Sequence, residues 1–414
     1  MADDAKVDDA MATWLVEHAD ETLQEFSSEL LSDPLKLGTI LRRHFESDQA
    51  RELTLLHSLR QKAQAKFEHA SRMFFTTIGY EQSTAQAIAS YKAERYRGHN
   101  TVDICCGIGG DATWLAQSST ELCIVDRSAR SVAFANANIA IHGQLSVPIV
   151  DDMRRVNFGQ FDAWHVDPDR RADGQRRSAP SACEPPLDEL LRLQESIPNG
   201  AIKLAPAAEV DELLEQGAEL EWIGCEHECR QLVAWFGDLA QHPGKRTATW
   251  ISGKQNESGR EFARLTEMQA TRLERSVTTE PSFVYEPRPS VLAAGLNMSL
   301  AQKHALRLLS DESSLLASEE RSESMLFRRF RVHESLNYHQ STLEQALVKQ
   351  RLRVTEVKSR GIDIDPDQTL RQLTRATADG DEECVVIFFS KGRSIFSLIC
   401  QRDDQDETAK RQLA

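Results

Sequence analysis

Residues 101–126 constrain this 414-residue chain more than any other stretch. The run Val102-Asp103-Ile104-Cys105 reads as a strand, Cys106-Gly107-Ile108-Gly109-Gly110-Asp111 as a turn, and residues 112–116 as a helix. Such a unit brings backbone amides and a helix N-terminus close to a ligand, because glycine has no Cβ to stand in the way. Asp103 lies four residues before the first glycine, and Asp126 ends the next apolar run, nineteen residues after it. The spacing is not the G-x-G-x-x-G of a dinucleotide-binding turn.

A G-x-G-G turn preceded by an acid suits a ligand with an ammonium group and no pyrophosphate. S-adenosylmethionine is such a ligand. Asp103 is placed for its ammonium, directly or through water, and Asp126 for both ribose hydroxyls. Asp152, rather than its neighbour Asp151, follows the third strand, where an acid accepts from the adenine amine. Three acids at three successive strand ends carry more weight than any one of them. The expected cofactor contacts are Asp103, Cys105, Gly107, Gly109, Gly110, Asp111, Asp126, Arg127, Asp152 and Met153.

The rest of the chain falls into place around that turn. Residues 1–98 form a helical leader, with apolar residues at three- and four-residue spacing over 10–26 and 53–73. Ser32-Asp33-Pro34 signals a helix start, and Gly79 breaks the pattern over 76–80 before a helix resumes over 83–96. Residues 99–279 alternate short apolar strands with helices, as in a parallel α/β sheet. Strands are expected at 102–105, 122–125, 147–150, 163–166, 201–204 and 220–223, closed by an antiparallel pair at 232–236 and 248–251. Helices are expected at 112–116, 129–141, 187–194 and 209–216, and loops at 237–246 and 255–259. The proline-rich run 280–289 reads as a linker into a third unit, 280–402. That unit reads as a helix at 290–309, strands at 325–332, 352–358, 384–390 and 394–400, and helices at 342–349 and 366–376. Residues 403–414 are a charged tail. The fold class is α/β: a Rossmann-like sheet, a helical N-terminal region and an α+β C-terminal domain.

The acceptor side is read from the fourth strand, which ends in His165-Val-Asp-Pro-Asp-Arg-Arg171. Ligands of open α/β sheets meet at this carboxyl edge, so Asp167 and Pro168 belong beside the reacting methyl. Methyltransferases acting on exocyclic amines often carry D/N-P-P-aromatic here; Asp169 and Arg170 stand where the second proline and the ring would be. Asp167 is the residue to orient the acceptor or take its proton. Arg170 and Arg171, with Arg176 and Arg177 beyond them, are cations for a phosphate grip. Their other reading is a solvated loop with internal Asp–Arg pairs. Lys203 ends the fifth strand at the same edge. The catalytic set is therefore Asp167, Pro168, Arg170, Arg171 and Lys203. Cys105 and Cys106 read as packing residues of the turn rather than nucleophiles.

Charge and cysteine usage narrow the class. A formal charge of −15 argues against a protein that coats nucleic acid by bulk positive charge, though a local basic face is enough for a nucleic-acid substrate. The apolar run 384–389 has six residues, against roughly 20 needed to span a bilayer, and Met-Ala-Asp-Asp is unlike a signal peptide. Eight cysteines, several in expected strands, suit a reducing compartment, so the expected location is the cytoplasm. Cys225-Glu-His227-Glu-Cys229 lacks the second ligand pair of a structural zinc site and reads as strand-turn-strand, so no metal is expected.

With these residues in view, the chain resembles the class I S-adenosylmethionine-dependent methyltransferases that carry a C-terminal THUMP-like domain. The resemblance covers nearly everything from Lys66 onward. It rests on Lys66-Phe67, Met73-Phe-Phe-Thr76, Gly79-Tyr-Glu-Gln-Ser-Thr84, Asp103-x-Cys-Cys-Gly-x-Gly-Gly-Asp111, Asp167-Pro-x-Arg-Arg171 and Lys203-Leu-Ala-Pro206. It continues through Tyr285-Glu-Pro287, Arg328-Arg-Phe-Arg331 and Lys358-Ser-Arg-Gly361. Asp169 and Ala207 stand where the family has a small residue and a glycine. The resemblance implies that residues 81–84, with Gln82 and Thr84, close over the cofactor. THUMP domains help enzymes bind structured RNA, and residues 325–402 hold 13 Lys+Arg against 10 Asp+Glu. Arg328, Arg329, Arg331, Lys358 and Arg360, with Arg176 and Arg177, are the expected RNA contacts. The reading is a methyltransferase acting on a base of structured rRNA or tRNA. The alternatives are a small-molecule or protein acceptor, or a non-catalytic S-adenosylmethionine-binding protein that interacts with RNA.

Overall fold

The computed structural model describes residues 2–26, 33–169, 171–172, 175–176, 183–226, 228–256, 259–269, 281–310, 312–360 and 362–403. The chain divides into two compact units: Met1–Leu220 with Gln231–Lys245, and Glu221–Arg230 with Arg246–Ala414.

The first unit opens with helices α1 (Ala2–Gln24), α2 (Pro34–Leu41), α3 (Ser47–Ala63), α4 (Thr77–Gln82) and α5 (Gln86–Ala93). Asp33 caps α2 by accepting from the Leu35 and Lys36 amides, and Pro34 occupies the first turn, where its missing N–H costs nothing. The apolar pattern over 53–73 does not continue as helix: α3 stops at Ala63 and the chain turns. The buried Arg60 side chain holds that turn by donating to the carbonyls of Met73 and Arg72, both at 2.9 Å. The expected break at 76–80 is instead the start of α4. Thr76 accepts from the Gly79 amide, so a short helix forms where the apolar pattern lapses.

Next come β1 (Asn100–Ile104), α6 (Ala112–Ser118), β2 (Glu121–Asp126), α7 (Ala129–Ile141), β3 (Val147–Val150), β4 (Ala163–Val166), α8 (Leu187–Ser196) and β5 (Asn199–Leu204). The chain then forms β6 (Glu219–Cys225) and β7 (Glu228–Phe236). Strands β3, β2, β1, β4 and β5 pair in parallel in that order, and β7 adds antiparallel to β5. Val102, Ile104, Trp164 and Val166 are all buried, as central parallel strands require. Only Glu212–Glu215 is helical within the helix expected at 209–216.

The leader and the sheet share one core. Leu15, Leu53 and Leu56 pack in the same cluster as Ile108 of the glycine turn and Phe134 of α7. Asn138, fully buried on α7, pins the two together. Its amide donates to the Phe74 and Ile108 carbonyls, and its oxygen accepts from the Phe74 amide.

The second unit corrects several expectations. The strand expected at 248–251 is longer: β8 (Arg246–Asn256) pairs antiparallel with β9 (Gly259–Thr266), so residues 255, 256 and 259 of the expected loop lie in strands. The run read as a linker contains β10 (Phe283–Pro287), a strand paired on both sides. Its prolines lie at the strand end and at the start of α9 (Pro289–Ala293), where a missing N–H is tolerated. The single helix expected over 290–309 is α9, α10 (Asn297–Lys303) and the short β11 (Arg307–Leu308), interrupted at Gly295, whose φ is 70°. Then follow β12 (Leu316–Ser318), β13 (Phe327–Asn337), α11 (Gln340–Lys349), β14 (Leu352–Arg360), α12 (Pro366–Ala376), β15 (Glu382–Lys391) and β16 (Ser394–Arg402). The seven-stranded order is β11-β12-β10-β13-β16-β15-β14. One of its clusters joins Phe330, Ile387 and Leu398; the other packs Leu347 and Leu373 of α11 and α12 on Val386 and Phe388.

Candidate cofactor and acceptor site

A cavity of about 580 Å³ opens in the first unit at the carboxyl ends of β1, β2 and β4. That volume is in the range of small-molecule sites. Gln82, Thr84, Asp103, Cys105, Gly107, Gly110, Asp111, Asp126, Arg127, Asp152 and Met153 line it, as do Asp167 and Pro168. Gly109 is not part of the wall. It serves the turn, with φ 81° and α7 so close that a Cβ would stand 3.0 Å from the Ala135 Cα. At Gly110 a Cβ would meet Ser83 at 3.0 Å and the Thr84 amide at 3.1 Å, so this glycine lets the 81–84 segment lie on the turn.

The acids are held in place by backbone amides. Asp126 accepts from the Gly107 amide at 3.0 Å and the Ser128 amide at 2.9 Å, which fixes the carboxylate on the cavity wall with lone pairs left for two vicinal hydroxyls. Asp152 accepts from the Arg154 amide at 3.0 Å and pairs with the Arg154 guanidinium. That amide, and then the guanidinium, hold its carboxyl below the usual range. Over the turn lies α4, with its end tied down by Lys66, which donates to the Tyr80 carbonyl at 2.8 Å and to Ser83 Oγ at 3.1 Å. Gln82 Nε2 reaches Asp169 Oδ1 at 3.4 Å.

Beneath the turn is a buried ionic cluster. His165 Nδ1 lies 2.7 Å from Asp103 Oδ1, and His165 Nε2 lies 3.3 Å from Lys92 Nζ. Lys92 Nζ is 2.7 Å from Asp111 Oδ1, and Thr84 Oγ1 donates to Asp111 Oδ2 at 2.6 Å. Asp111 Oδ2 is also 4.0 Å from both His165 Nε2 and Lys203 Nζ. Burial alone would raise the Asp111 carboxyl, but Lys92, His165 and Lys203 together hold it well below the carboxylate range. At Asp103 burial prevails over the His165 contact, and the carboxyl is pushed up. Burial likewise pushes the Lys92 ammonium down, against the attraction of Asp111. Sequence reasoning missed His165 and Lys92. Lys92 carried a signal, since Ile88, Ala89, Ala93 and Tyr96 place it on an apolar helical stripe.

At the acceptor edge Lys203 Nζ lies 2.5 Å from Asp167 Oδ2 and donates to the Gln82 carbonyl at 3.3 Å. An ammonium with two carboxylates and a carbonyl around it is a positioning cation, and it fixes one oxygen of Asp167. Burial pushes the Cys105 and Cys106 thiols up, so neither supplies a thiolate at neutral pH. Arg170 and Arg177 lie outside the described residues; Arg171 and Arg176 sit on a two-stranded ribbon whose side chains are likewise not described. Among the described residues no group of three or more potential metal ligands occurs, and His227 lies outside them. All eight cysteines are free thiols, and no described helix is long and apolar enough to cross a membrane.

Two of the basic residues expected to meet RNA, Arg329 and Lys358, are buried in ion pairs. Arg329 is buried, pairs with Asp403 at 2.9 Å and donates to the Ser322 carbonyl. Lys358 is buried between Glu286 at 2.8 Å and Glu356 at 2.9 Å, and Arg328 faces Glu286 at 3.9 Å. A buried ammonium with two carboxylate partners is a poor phosphate ligand. Arg331 is exposed, and the Arg360 side chain is not described.

Comparison with known proteins agrees with this architecture. Residues 327–402, from β13 to β16, match the family described as THUMP domain-like. The chain is 25% identical, over 73% of its length and 81% of the relative's, to an uncharacterized S-adenosylmethionine-dependent methyltransferase of Mycobacterium tuberculosis, found in strains H37Rv and CDC 1551. A crystal structure from Porphyromonas gingivalis W83, provisionally described as a methyltransferase, superposes with a TM-score of 0.70. It covers 96% of this chain and 99% of its own at 19% identity, which speaks for a common fold.

Proposed function

We propose that this chain, a class I S-adenosylmethionine-dependent methyltransferase with a C-terminal THUMP-like domain, methylates a base in structured RNA. The observation that carries the reading is the joining, in one polypeptide, of a glycine-turn cavity walled by Asp103, Asp126 and Asp152 with a THUMP-like match over 327–402. We read its organisation as leader 1–98, catalytic domain 99–279 and THUMP-like domain 280–402, in a reducing compartment such as the cytoplasm.

The donor set fits S-adenosylmethionine. Asp103 would hold the ammonium, Asp126 the ribose hydroxyls and Asp152 the adenine amine, while α4 and Thr84 close the site. When bound, S-adenosylmethionine supplies an electrophilic methyl group. The chain's own task is then to present the acceptor in line and to deal with one proton. Lys203 fixes one oxygen of Asp167, which leaves the other to accept a hydrogen bond from an N–H or O–H of the acceptor and to take its proton. With both turn thiols held protonated, attack through a cysteine on a pyrimidine carbon has no support here.

The acids around the cavity mouth, among them Asp151, Asp169 and Glu184, favour a second reading in which the acceptor carries no phosphate. Incubation of the purified protein with radiolabelled donor and, separately, total RNA, protein and metabolite extracts decides between them. Label in RNA is expected; label confined to protein or small molecules overturns the RNA assignment and leaves the methyltransferase standing.

A further inference from the structure

We infer that His165 is a positioning residue for donor binding, and that seating the donor's ammonium against Asp103 expels one proton from the Asp103–His165 pair. This rests on the reading of the cavity as the donor site. The geometry fixes the roles of the two ring nitrogens. Lys92 Nζ, at 3.3 Å, has only hydrogens to give, so His165 Nε2 is its acceptor and the ring hydrogen sits on Nδ1, donated to Asp103 at 2.7 Å.

The charged and titratable groups around the pair then enter the count; the thiols of Cys105, Cys106 and Cys123, raised by burial and by Asp103, stay neutral. Asp103 comes from β1, Lys92 from α5, Asp111 from the turn before α6, and Tyr96 packs with its ring centroid 6.3 Å from the imidazole. Lys203 of β5 reaches the set through Asp111, and Asp167 through Lys203. Three carboxylates face two ammonium groups, which leaves one negative charge in a low-dielectric site. A proton on the Asp103–His165 pair cancels it. So does the ammonium of a bound donor, but a single carboxylate cannot satisfy both, and the proton leaves to solvent. The proton belongs to the pair rather than to either residue; the raised Asp103 carboxyl accords with a pair that takes one up.

The donor therefore binds more weakly in acid. One linked proton makes the Kd rise about tenfold for each pH unit below the pair's titration, and level off above it. Calorimetry of S-adenosylhomocysteine binding to the full-length protein, in buffers of different ionisation enthalpy, reads the proton directly. Measured in steps from about pH 5 to about pH 8, the expected result is a release that approaches one proton at the acid end and falls towards none at the other. 5′-Methylthioadenosine, which lacks the amino-acid end, is expected to release none. Asp103→Asn, which keeps an acceptor for His165 but has no proton to lose, is expected to bind S-adenosylhomocysteine with no proton release, and His165→Asn to bind it more weakly because Asp103 loses its ring partner. A buffer-independent enthalpy for the wild type at every pH, an equal release with methylthioadenosine, release that persists in Asp103→Asn, or unchanged affinity in His165→Asn overturns the inference. The wild-type measurement stands even if a variant fails to fold. Absence of any binding by either ligand refutes the donor-site reading itself, so the two failures are distinct.

Discussion

Asp111 shows how much one side chain carries in this molecule. It receives Thr84 from above and Lys92 from below, and it stands 4.0 Å from Lys203. Its carboxyl lies below its unfolded value, so the stability it contributes is present above about pH 4 and is lost as pH falls through the folded value. Asp111→Asn is expected to cost about 3–5 kcal/mol at pH 7, because buried Lys92 loses its closest carboxylate. It should also weaken the dependence of stability on pH in the acid range; denaturant melts from pH 3 to pH 7 (roughly the span where carboxylates titrate) check both. Asp167→Asn separates the two halves of the site. It should lower kcat by about 10²–10⁴ while S-adenosylhomocysteine still binds, in keeping with the acceptor role proposed for Asp167. The cavity acids were legible in the sequence because of where they stand: Asp126, Asp152 and Asp167 come at or just after the ends of apolar runs, and Asp103 lies four residues before the glycine turn. His165 and Lys92 were not, because their role depends on which strand lies beside which. Periodicity buries both residues but does not bring β4 and α5 to the same carboxylates.

At the scale of elements, the short α4 matters out of proportion to its length. Six residues are too few to hold a helix alone; the Thr76 cap and the Lys66 tie make up the difference. Thr76→Ala removes a cap worth about 1 kcal/mol. Weaker S-adenosylhomocysteine binding, by up to about tenfold, is expected, together with faster amide exchange over 77–82 and little change elsewhere. Unchanged affinity would show that α4 does not close over the donor. This element was misread as a break, because Gly79 and the lapse of apolar spacing speak against helix while the cap is a local hydrogen bond. The run at 280–289 went wrong for a related reason. Its three prolines, at 281, 287 and 289, signal turns, yet a strand of about five residues needs only a stretch with proline confined to its end. The alternating strands and helices of 100–204, by contrast, were readable because each is a buried apolar run bounded by polar turns.

For the whole molecule, the proposed RNA contact is tested on the THUMP-like segment 327–402. Buried Lys358 and Arg329 are expected to fail as tests of RNA contact: Lys358→Glu should lower the melting temperature of the second unit before it says anything about binding. Arg331, Arg371 and Arg375 are exposed and serve better. Their substitution by Glu should weaken binding to structured RNA and reduce the slope of log K against log salt by about one per lost phosphate contact, whereas Asp126→Ala should leave RNA affinity as it was. An unchanged slope in the triple variant argues that this face does not meet RNA. The net charge of 325–402 was visible in the sequence; which cations were already neutralised was not, because Glu286 is some seventy residues from Lys358 along the chain and lies near it only after β10 takes its place in the sheet.

The interleaving of the two units along the chain also bears on synthesis. Residues 221–230 belong to the second unit but emerge before 231–245, which complete the first. At about 5–20 residues per second, β7 reaches β5 only after this small piece of the later unit has been made, and that piece then waits for some further hundred and fifty residues. The first unit is thus the first able to fold, with a fragment of its neighbour held in reserve. A pause in translation placed far enough beyond residue 245 for 231–245 to have left the ribosome would favour it, and one placed before 231 would not.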